Sequence, residues 1–330
     1  MAAVLAAPLT LSLATSPTTV TAAGNKALDV LRKAALAQGE VTYSSVGTVA
    51  MREGPRLGTS TQTVFRKTGG KERIKIQAAD GQMVWLRVCD GRTSWEHHPG
   101  RRQVFVRAVP PAERLRKRAL FDLQMLGANY NVSLLGTETV AGRKAHRIRI
   151  GAPGPPPHIV REVWIDQAKY IELKSQGYGF DGQVAHSVTL ERINLAPSFA
   201  AGTFDFTPPA GVKTHDIPSS RFVGPAAAAA QQAGFAAIPP PQAPAAFALY
   251  PDLVAVRNMH GVTVLWFQYT DGVRQFSVFE RKIAPGGKEP PPGRGWARTV
   301  RVGDYHFTIV GQLSPQEFET ITAGYRTLQR

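Results

Sequence analysis

The stretch between Val160 and Leu195, "VREVWIDQAKYIELKSQGYGFDGQVAHSVTLERINL", holds the densest set of side chains that could do chemistry in this sequence. An acid and a base within hydrogen-bond reach can exchange protons with a substrate, which would make this an active-site segment. The same stretch also alternates apolar and polar residues, as strands joined by turns do. In that second interpretation its acids and bases occupy turns and a solvated sheet face. The ionisable candidates are Asp166, Glu172, Lys174 and His186.

Elsewhere the sequence carries no signature of an enzyme or of a metal centre. No GxSxG, GxxxxGK[ST] or HExxH motif occurs. His97 and His98 are adjacent, and adjacent residues of a strand point to opposite faces, so they make a poor chelating pair. The single cysteine, Cys89, can form no disulfide within the chain and has no flanking group that would lower its pKa. We therefore predict a protein that is not an enzyme, with no catalytic residues, no metal and no cofactor.

Composition points to a folded protein with a basic surface. The chain has 330 residues, of which 43% are hydrophobic and 19% charged, and this balance supports sizeable cores. The net charge is +15, and most of the excess lies before residue 215. Such a surplus fits an anionic partner, such as a lipid headgroup or an acidic protein, and equally fits a generally basic surface. Nucleic acid is not predicted as a partner, because no aromatic-interleaved motif or recognition helix accompanies the charge.

Two stretches with little or no charge divide the chain. Residues 1–23 combine an apolar run with small residues at Thr21-Ala22-Ala23, as the signal peptide of an exported protein does. This predicts a periplasmic or extracytoplasmic location, and the alternative is a disordered leader rich in Ala and Thr. Residues 216–246 are rich in Ala and Pro and read as a linker. We therefore predict one domain over 24–215 and a smaller one over 247–330.

The order of elements predicts a mainly β, α+β protein. A helix opens the first domain, about nine to eleven strands follow, and a second helix interrupts them and ends at Gly127. Because no βαβ alternation occurs, the sheet should be antiparallel, and successive hairpins of this length should curl into a sandwich or an open barrel. The second domain should be a small α+β unit that ends in a helix, with Ser314 and Glu317 forming a capping box.

Large apolar residues concentrate in the middle of the first domain. Such residues are usually core, but a curved sheet with a helix across its mouth can also enclose an apolar ligand. We predict a ligand cavity from this set, which comprises Trp85, Val88, Trp95, Phe105, Leu120, Phe121, Leu123, Met125, Leu126 and Trp164.

A run of cations lies beside these apolar residues. A basic rim next to an apolar mouth suits an anionic headgroup, a membrane surface contacted peripherally or an acidic partner, and it equally suits solvated Arg side chains packed on the barrel. The predicted headgroup or partner contacts are Arg101, Arg102, Arg107, Arg114, Arg116, Lys117 and Arg118.

Several segments in sequence resemble a known family. They are "YSSVGTVAMR", "DGRTSWEHHPGRRQVFV", "GRKAHRIRI", the opening stretch and "FDFTPPAGV". Together they resemble the RseB/MucB family of sigma-E regulatory periplasmic proteins and, more distantly, the LolA/LolB lipoprotein carriers.

This resemblance implies that the first domain is a half-open antiparallel barrel with helices plugging its concave face, and that this barrel binds acyl chains of lipids or lipoproteins. It also implies contact with the extracytoplasmic part of an anti-sigma factor in envelope stress signalling. Two other functions remain open from the sequence: a LolA-type lipid or lipoprotein carrier, and a module that binds cell-wall polysaccharide through aromatic rings such as Trp95 or Trp296.

Overall fold

The computed structural model describes most of the chain after the predicted leader. The described residues are 22–54, 56–154, 158–179, 181–217, 221–251, 254–259, 261–283 and 297–328. The predicted signal peptide therefore lies almost wholly outside them. Within these ranges, no helix is long and apolar enough to cross a membrane.

The first sheet contains twelve strands in the order β12-β6-β5-β4-β3-β2-β1-β11-β10-β9-β8-β7. All neighbours are antiparallel except β12, which pairs with β6 in parallel. The sequence builds this sheet from hairpins with turns at Gly69-Gly70, Asp90-Gly91 and Ala141-Gly142, where positive φ angles suit glycine. The strands are β1 Tyr43–Glu53, β2 Arg56–Lys67, β3 Lys71–Gln77, β4 Met83–Asp90, β5 Thr93–His98, β6 Gln103–Ala108, β7 Asn131–Val140, β8 Arg143–Ala152, β9 His158–Asp166, β10 Glu172–Tyr178, β11 Val184–Asn194 and β12 Lys213–Asp216.

Two helices, α1 Ala22–Ala37 and α2 Ala112–Asn129, pack on one face of this sheet, which we call the inner face. The prediction that the second helix ends at Gly127 is wrong, since α2 continues to Asn129. Glycine suits position 127 for a different reason. A Cβ on Gly127 would lie 3.1 Å from Leu28 Cδ1 of α1, so this position lets the two helices approach closely.

The outer face of the sheet is covered in part by the chain that follows β11. The Phe199 ring lies 5.5 Å from Phe65 and the Phe206 ring lies 6.3 Å from Trp95. Burial of these aromatic rings ties the segment to β2 and β5 before the chain adds β12 to the edge.

The barrel is half open because its two edge strands, β7 and β12, do not pair with each other. A bulge interrupts β7, where the register shifts between Leu134 and Gly136 and the extra residue, Leu135, is exposed.

The second sheet is smaller and has its own apolar core. Its strands run in the order β13-β15-β16-β17-β19-β18, with β14 pairing to β16. Helix α4 begins with the predicted capping box, in which Ser314 and Glu317 each bond the other's backbone N–H. The elements are β13 Arg221–Gly224, α3 Ala226–Ala233, β14 Ala248–Leu249, β15 Val254–Met259, β16 Val262–Thr270, β17 Gln275–Lys282, β18 Ala297–Val302, β19 Tyr305–Gly311 and α4 Pro315–Thr327. In the first sheet, the 3-10 helix Pro99–Arg101 connects β5 to β6.

The segment predicted as a linker contributes to this second core. Strand β13 pairs with β15, and Ala229 of α3 is fully buried in the apolar cluster around Phe267 and Phe307. Ile238 donates its backbone N–H to Glu280 and accepts from Tyr325. The division into domains at 24–215 and 247–330 stays a prediction.

The prediction of a mainly β protein is confirmed: a large, open antiparallel sheet carries two helices, and a small α+β unit follows it.

Candidate ligand cavity

The floor of a cavity lies on the inner face of the first sheet. Val64 of β2 pairs with Ile74 of β3, and paired residues project to the same side of an antiparallel sheet. Tyr43 and Leu190 belong to the same buried cluster, together with Ile171, which directly precedes β10. Alternation along four strands therefore presents one continuous apolar surface, which Ile171 extends.

Helices α1 and α2 form the roof. From α1 come Leu31, Ala34 and Ala35, and from α2 come Leu123 and Leu126. The small alanine side chains leave space between α1 and the sheet unfilled, and the cavity has a volume of about 540 Å³, a size that suits one small-molecule ligand.

Each charged group of the lining has a partner. Asp122 accepts hydrogen bonds from the hydroxyls of Tyr250 and Thr270, and the two arginines pair with carboxylates. Arg161 Nη2 lies 3.3 Å from Glu172 Oε2, and Arg66 Nη2 lies 2.7 Å from Glu72 Oε2. The Arg66 guanidinium also lies 5.9 Å from the Tyr43 ring centroid. With its charged groups bonded in this way, the cavity favours an apolar chain whose polar end stays at the half-exposed Arg161–Glu172 pair.

Only part of the predicted apolar set lines this cavity: Leu123 and Leu126 do. Trp85 packs at its margin, against the cluster that contains Val64 and Ile74. The side chain of Met125 is partly buried on α2 and does not line the cavity.

The other members of that set lie elsewhere. Trp95 and Val88 are paired across β4 and β5, and the Phe206 ring covers Trp95 on the outer face. Trp164 also lies outside the cavity, where Lys174 Nζ lies 4.1 Å from its ring centroid and its indole N–H donates to Glu138 over 2.6 Å. Each strand places residues on both faces of the sheet, and hydrophobicity alone does not distinguish the residues of one face from those of the other.

Three predicted cavity residues contact other rings or form another groove. Phe105 stacks on His215 with ring centroids 5.2 Å apart. Leu120 and Phe121 line a second cavity of about 570 Å³, beside Tyr250.

The predicted basic set falls into two groups. Arg101 and Arg102 lie in the turn between β5 and β6, and Arg107 lies in β6. The other four lie in the first two turns of α2. Within the first group Arg107 pairs with Glu96 over 2.7 Å, and Arg102 donates to the carbonyl of Gly211.

In the α2 group, most cations have partners. Arg116 pairs with Glu40, and Lys117 pairs with Glu113 over 3.0 Å. Arg114, Lys117 and Arg118 line the second cavity. These cations form a rim of that groove rather than of the inner-face cavity.

Helix α2 is also the contact between the two sheets. Asp122 accepts hydrogen bonds from the hydroxyls of Tyr250 and Thr270, and burial, followed by the bond to Asp122, raises the pKa of Tyr250 to about 12. Arg118 donates to Gln268 and Gln275. The same helix therefore forms a wall of the cavity and the docking surface of the second sheet.

Asp166, an acid that could have been catalytic from the sequence alone, has a structural role. Asp166, whose side chain is 2% exposed, accepts from Arg143 Nε over 2.7 Å and Nη2 over 3.1 Å. It also accepts from the backbone N–H groups of Ala168 and Lys169, which fixes the turn after β9. Every described contact of this carboxylate is therefore explained by the fold.

We expect Asp166→Asn to lower the free energy of unfolding by about 2 kcal/mol, because the amide weakens the bonds to Arg143 and to the turn. Urea denaturation measures the change. Glu191→Gln is the control on an exposed carboxylate of β11 and should change stability by less than about 0.5 kcal/mol. Loss of ligand binding by Asp166→Asn with unchanged stability would contradict the structural role.

The remaining reactive candidates are also packed. Cys89 is buried, and burial raises the pKa of its thiol. His97 is buried beside Phe206, and burial lowers its pKa. Among the described residues no three His, Cys, Asp or Glu side chains converge as metal ligands would.

The sequence signals missed in forming the cavity prediction were those of α1 and of the floor. The helical spacing of Val30, Leu31 and Ala34 indicates an apolar face of α1 that packs against another element. The alternation in "TVFRKTGGKERIKI" placed Val64 and Ile74 on one face.

Comparison with known proteins supports this architecture. No curated protein matches the chain by sequence. The crystal structure of MucB matches with 20% identity and a TM-score of 0.51, covering 91% of this chain and 97% of MucB. The Pseudomonas aeruginosa MucA/MucB complex matches with 20% identity and a TM-score of 0.53, covering 90% and 97%, and MucB in complex with MucA(peri) with 18% identity and 0.50, also covering 90% and 97%. The family model of the MucB/RseB N-terminal domain matches residues 26–208, more than half of the sequence, and the chain therefore belongs to the MucB/RseB family.

Proposed function

We propose that this protein is an extracytoplasmic regulator that binds the acyl chain of a lipid or lipoprotein and contacts the periplasmic part of an anti-sigma factor. The observation that carries the lipid part is the inner-face cavity of about 540 Å³, with an apolar floor and paired charges. Burying each CH₂ group of a chain in such a space contributes about 0.8 kcal/mol. The proposal needs no catalytic residue.

The anti-sigma part is supported by family membership and by the similar fold of MucB in its complexes with MucA. The basic excess of this chain suits an acidic partner segment, and the cations of α2 line an exposed groove at the boundary of the two sheets. An exported location is part of the same proposal, because both partners would lie outside the cytoplasm.

A direct test of the partner is capture of the purified protein by the extracytoplasmic segments of the membrane anti-sigma factors of its own organism. Binding that weakens as salt concentration rises is expected from the basic surface. Failure of every such segment to bind would remove this part of the proposal and leave the lipid part standing.

For the lipid part, we expect Leu123→Trp to weaken binding of cis-parinaric acid by at least about tenfold, because the indole fills the space under α2. The fluorescence of the bound probe measures the affinity. Ala128→Trp is the matched control, since it adds the same ring at an exposed position of α2 that lines neither cavity, and it should bind as wild type does. Absence of probe binding by the wild-type protein would overturn the lipid proposal.

A carrier function is the second candidate, because the same cavity would hold a transported acyl chain. The second sheet distinguishes the two functions, since a carrier needs the cavity but not a docked α+β unit. Transfer of the probe from the protein to acceptor vesicles at a rate that rises with vesicle concentration would favour the carrier.

The polysaccharide-binding interpretation receives less support. Trp95 packs against Phe206 instead of standing as an open platform, and Trp296 lies outside the described residues.

A further inference from the structure

The wall of the inner-face cavity is not made by the first sheet and its helices alone. Gly272 and Val273, from the turn between β16 and β17 of the second sheet, also line it. Val273 packs against the buried cluster that contains Leu126, Val132 and Ile148. A side chain from the second sheet therefore reaches the space that a ligand would occupy.

This turn is held in one shape by Asp271, which is fully buried. One carboxylate oxygen accepts from the backbone N–H groups of Val273 and Arg274 over 2.9 and 2.7 Å. The other accepts from Tyr130 Oη over 2.8 Å and from Arg274 Nε over 2.8 Å. Since Tyr130 follows directly on α2, the turn is fixed both internally and to the first sheet.

The turn also fits tightly against α2. Gly272 has φ +98°, and a Cβ there would lie 2.2 Å from the Leu126 backbone nitrogen and 2.8 Å from the Asp122 carbonyl oxygen. Only glycine permits this approach. Leu126 and Asp122 themselves line the cavity, so one turn of helix contacts both the ligand space and the second sheet.

We propose that the β16–β17 turn is part of the ligand site, and that an acyl chain in the cavity contacts Val273. This inference rests on the proposed lipid-binding function. A chain that touches Val273 gains apolar contact only while the turn is docked against α2. Ligand binding and docking of the turn then stabilise each other to the same extent. Occupancy of the cavity therefore changes how firmly the second sheet is docked against α2.

The next residue of the turn, Arg274, connects the cavity wall to helix α4. Arg274 donates from Nη1 and Nη2 to the two carboxylate oxygens of Glu317, each over 3.0 Å. Glu317 is the third helical residue of the capping box of α4. The cavity wall and the first turn of the last helix are therefore joined through Arg274.

Val273→Trp tests the ligand contact. We expect it to weaken cis-parinaric acid binding by at least about tenfold, because the larger ring enters the cavity from the second sheet. Leu328→Trp, which adds the same ring at an exposed position of the second unit, should leave the affinity unchanged.

A second measurement uses the wild-type protein, so that it does not depend on the folding of a variant. Saturation with cis-parinaric acid should slow amide hydrogen exchange in residues 271–275 by at least about threefold, while exchange in the β18–β19 turn stays the same. Both results together support the proposal.

The outcomes separate the two levels of inference. If the wild-type protein binds no probe, the lipid-binding function itself is wrong and the proposal falls with it. If the wild-type protein binds the probe, Leu123→Trp abolishes binding, and neither Val273→Trp nor the exchange of the turn shows an effect, the lipid function stands and the role of the turn is overturned. Unchanged exchange at 271–275 in the bound wild-type protein overturns it even where Val273→Trp does not fold.

Discussion

Replacement of Glu280 by glutamine is expected to abolish a loss of about 3 kcal/mol in stability that the wild-type protein undergoes between about pH 4.5 and pH 8. Glu280 lies on β17 with no exposed surface, and burial raises the pKa of its carboxyl from 4.5 to about 7. Its Oε2 accepts from the backbone N–H of Ile238 over 2.9 Å. Its Oε1 is buried without a partner among the described residues.

The direction follows from the protons bound by each state. Between the unfolded and the folded pKa, the folded protein holds a proton on Glu280 that the unfolded chain has released. Stability from this group is therefore complete below about pH 4.5, falls as pH rises, and levels off above about pH 7. Tyr325 of α4 is the titratable group that interacts with the carboxyl, and no cation among the described residues contributes to the pKa shift of Glu280.

Urea denaturation at several pH values measures this effect as the difference between Glu280→Gln and wild type. The difference should grow by about 3 kcal/mol in favour of the variant from pH 4.5 to pH 8, whatever the constant cost of the buried amide. Glu319→Gln, on a carboxylate that is 64% exposed, is the control and should show a nearly flat difference. A flat difference for Glu280→Gln would show that this carboxyl titrates at its ordinary value.

Substitution of Gly272 by alanine is expected to destabilise the protein by about 3–5 kcal/mol. The added Cβ would meet the backbone of Leu126 at 2.2 Å, and backbone atoms of a helix cannot move aside as a flexible side chain can. The turn must then withdraw from α2 and loosen the bonds that Asn129 makes to the carbonyls of Ala246 and Asp271.

Gly303→Ala provides the matched control. It is also a glycine with positive φ in a hairpin turn of the second sheet, but nothing lies within 4 Å of its would-be Cβ. It should cost only about 1 kcal/mol, the strain of the left-handed conformation. Equal costs for the two alanines would show that the contact between the turn and α2 is loose in solution.

Local patterns predicted local structure well. The capping box at Ser314 and Glu317 and the turn at Asp166 both depend on residues within four positions of each other, where the physics is short-ranged. The antiparallel hairpins followed in the same way from alternation and turn residues.

The cavity was predicted only in part because its walls depend on tertiary registration. Val88 and Trp85 are both apolar, and only the pairing of β3, β4 and β5 decides which face each one occupies. The contact of Gly272 with Leu126 joins residues almost half the chain apart, and no local pattern marks it.

Composition alone describes only part of what residues 216–246 do. Alanine and proline without charge are typical of a linker, but alanine equally packs where space is small. Ala229 is fully buried in the second core, and Ile238 is bonded at both its N–H and its carbonyl group. Composition cannot distinguish a linker from a packed segment, because the difference depends on whether the rest of the fold offers a surface on which the alanines can pack.

The bulge in β7 bears on how this protein behaves at high concentration. An open sheet exposes unpaired N–H and C=O groups along its border, and a flat border recruits strands from other molecules into aggregates. The inserted Leu135 and the φ of +137° at Gly136 bend the strand at its middle, so neither half offers a long straight template. The half-open barrel can thus keep its mouth free for a ligand while its border resists polymerisation.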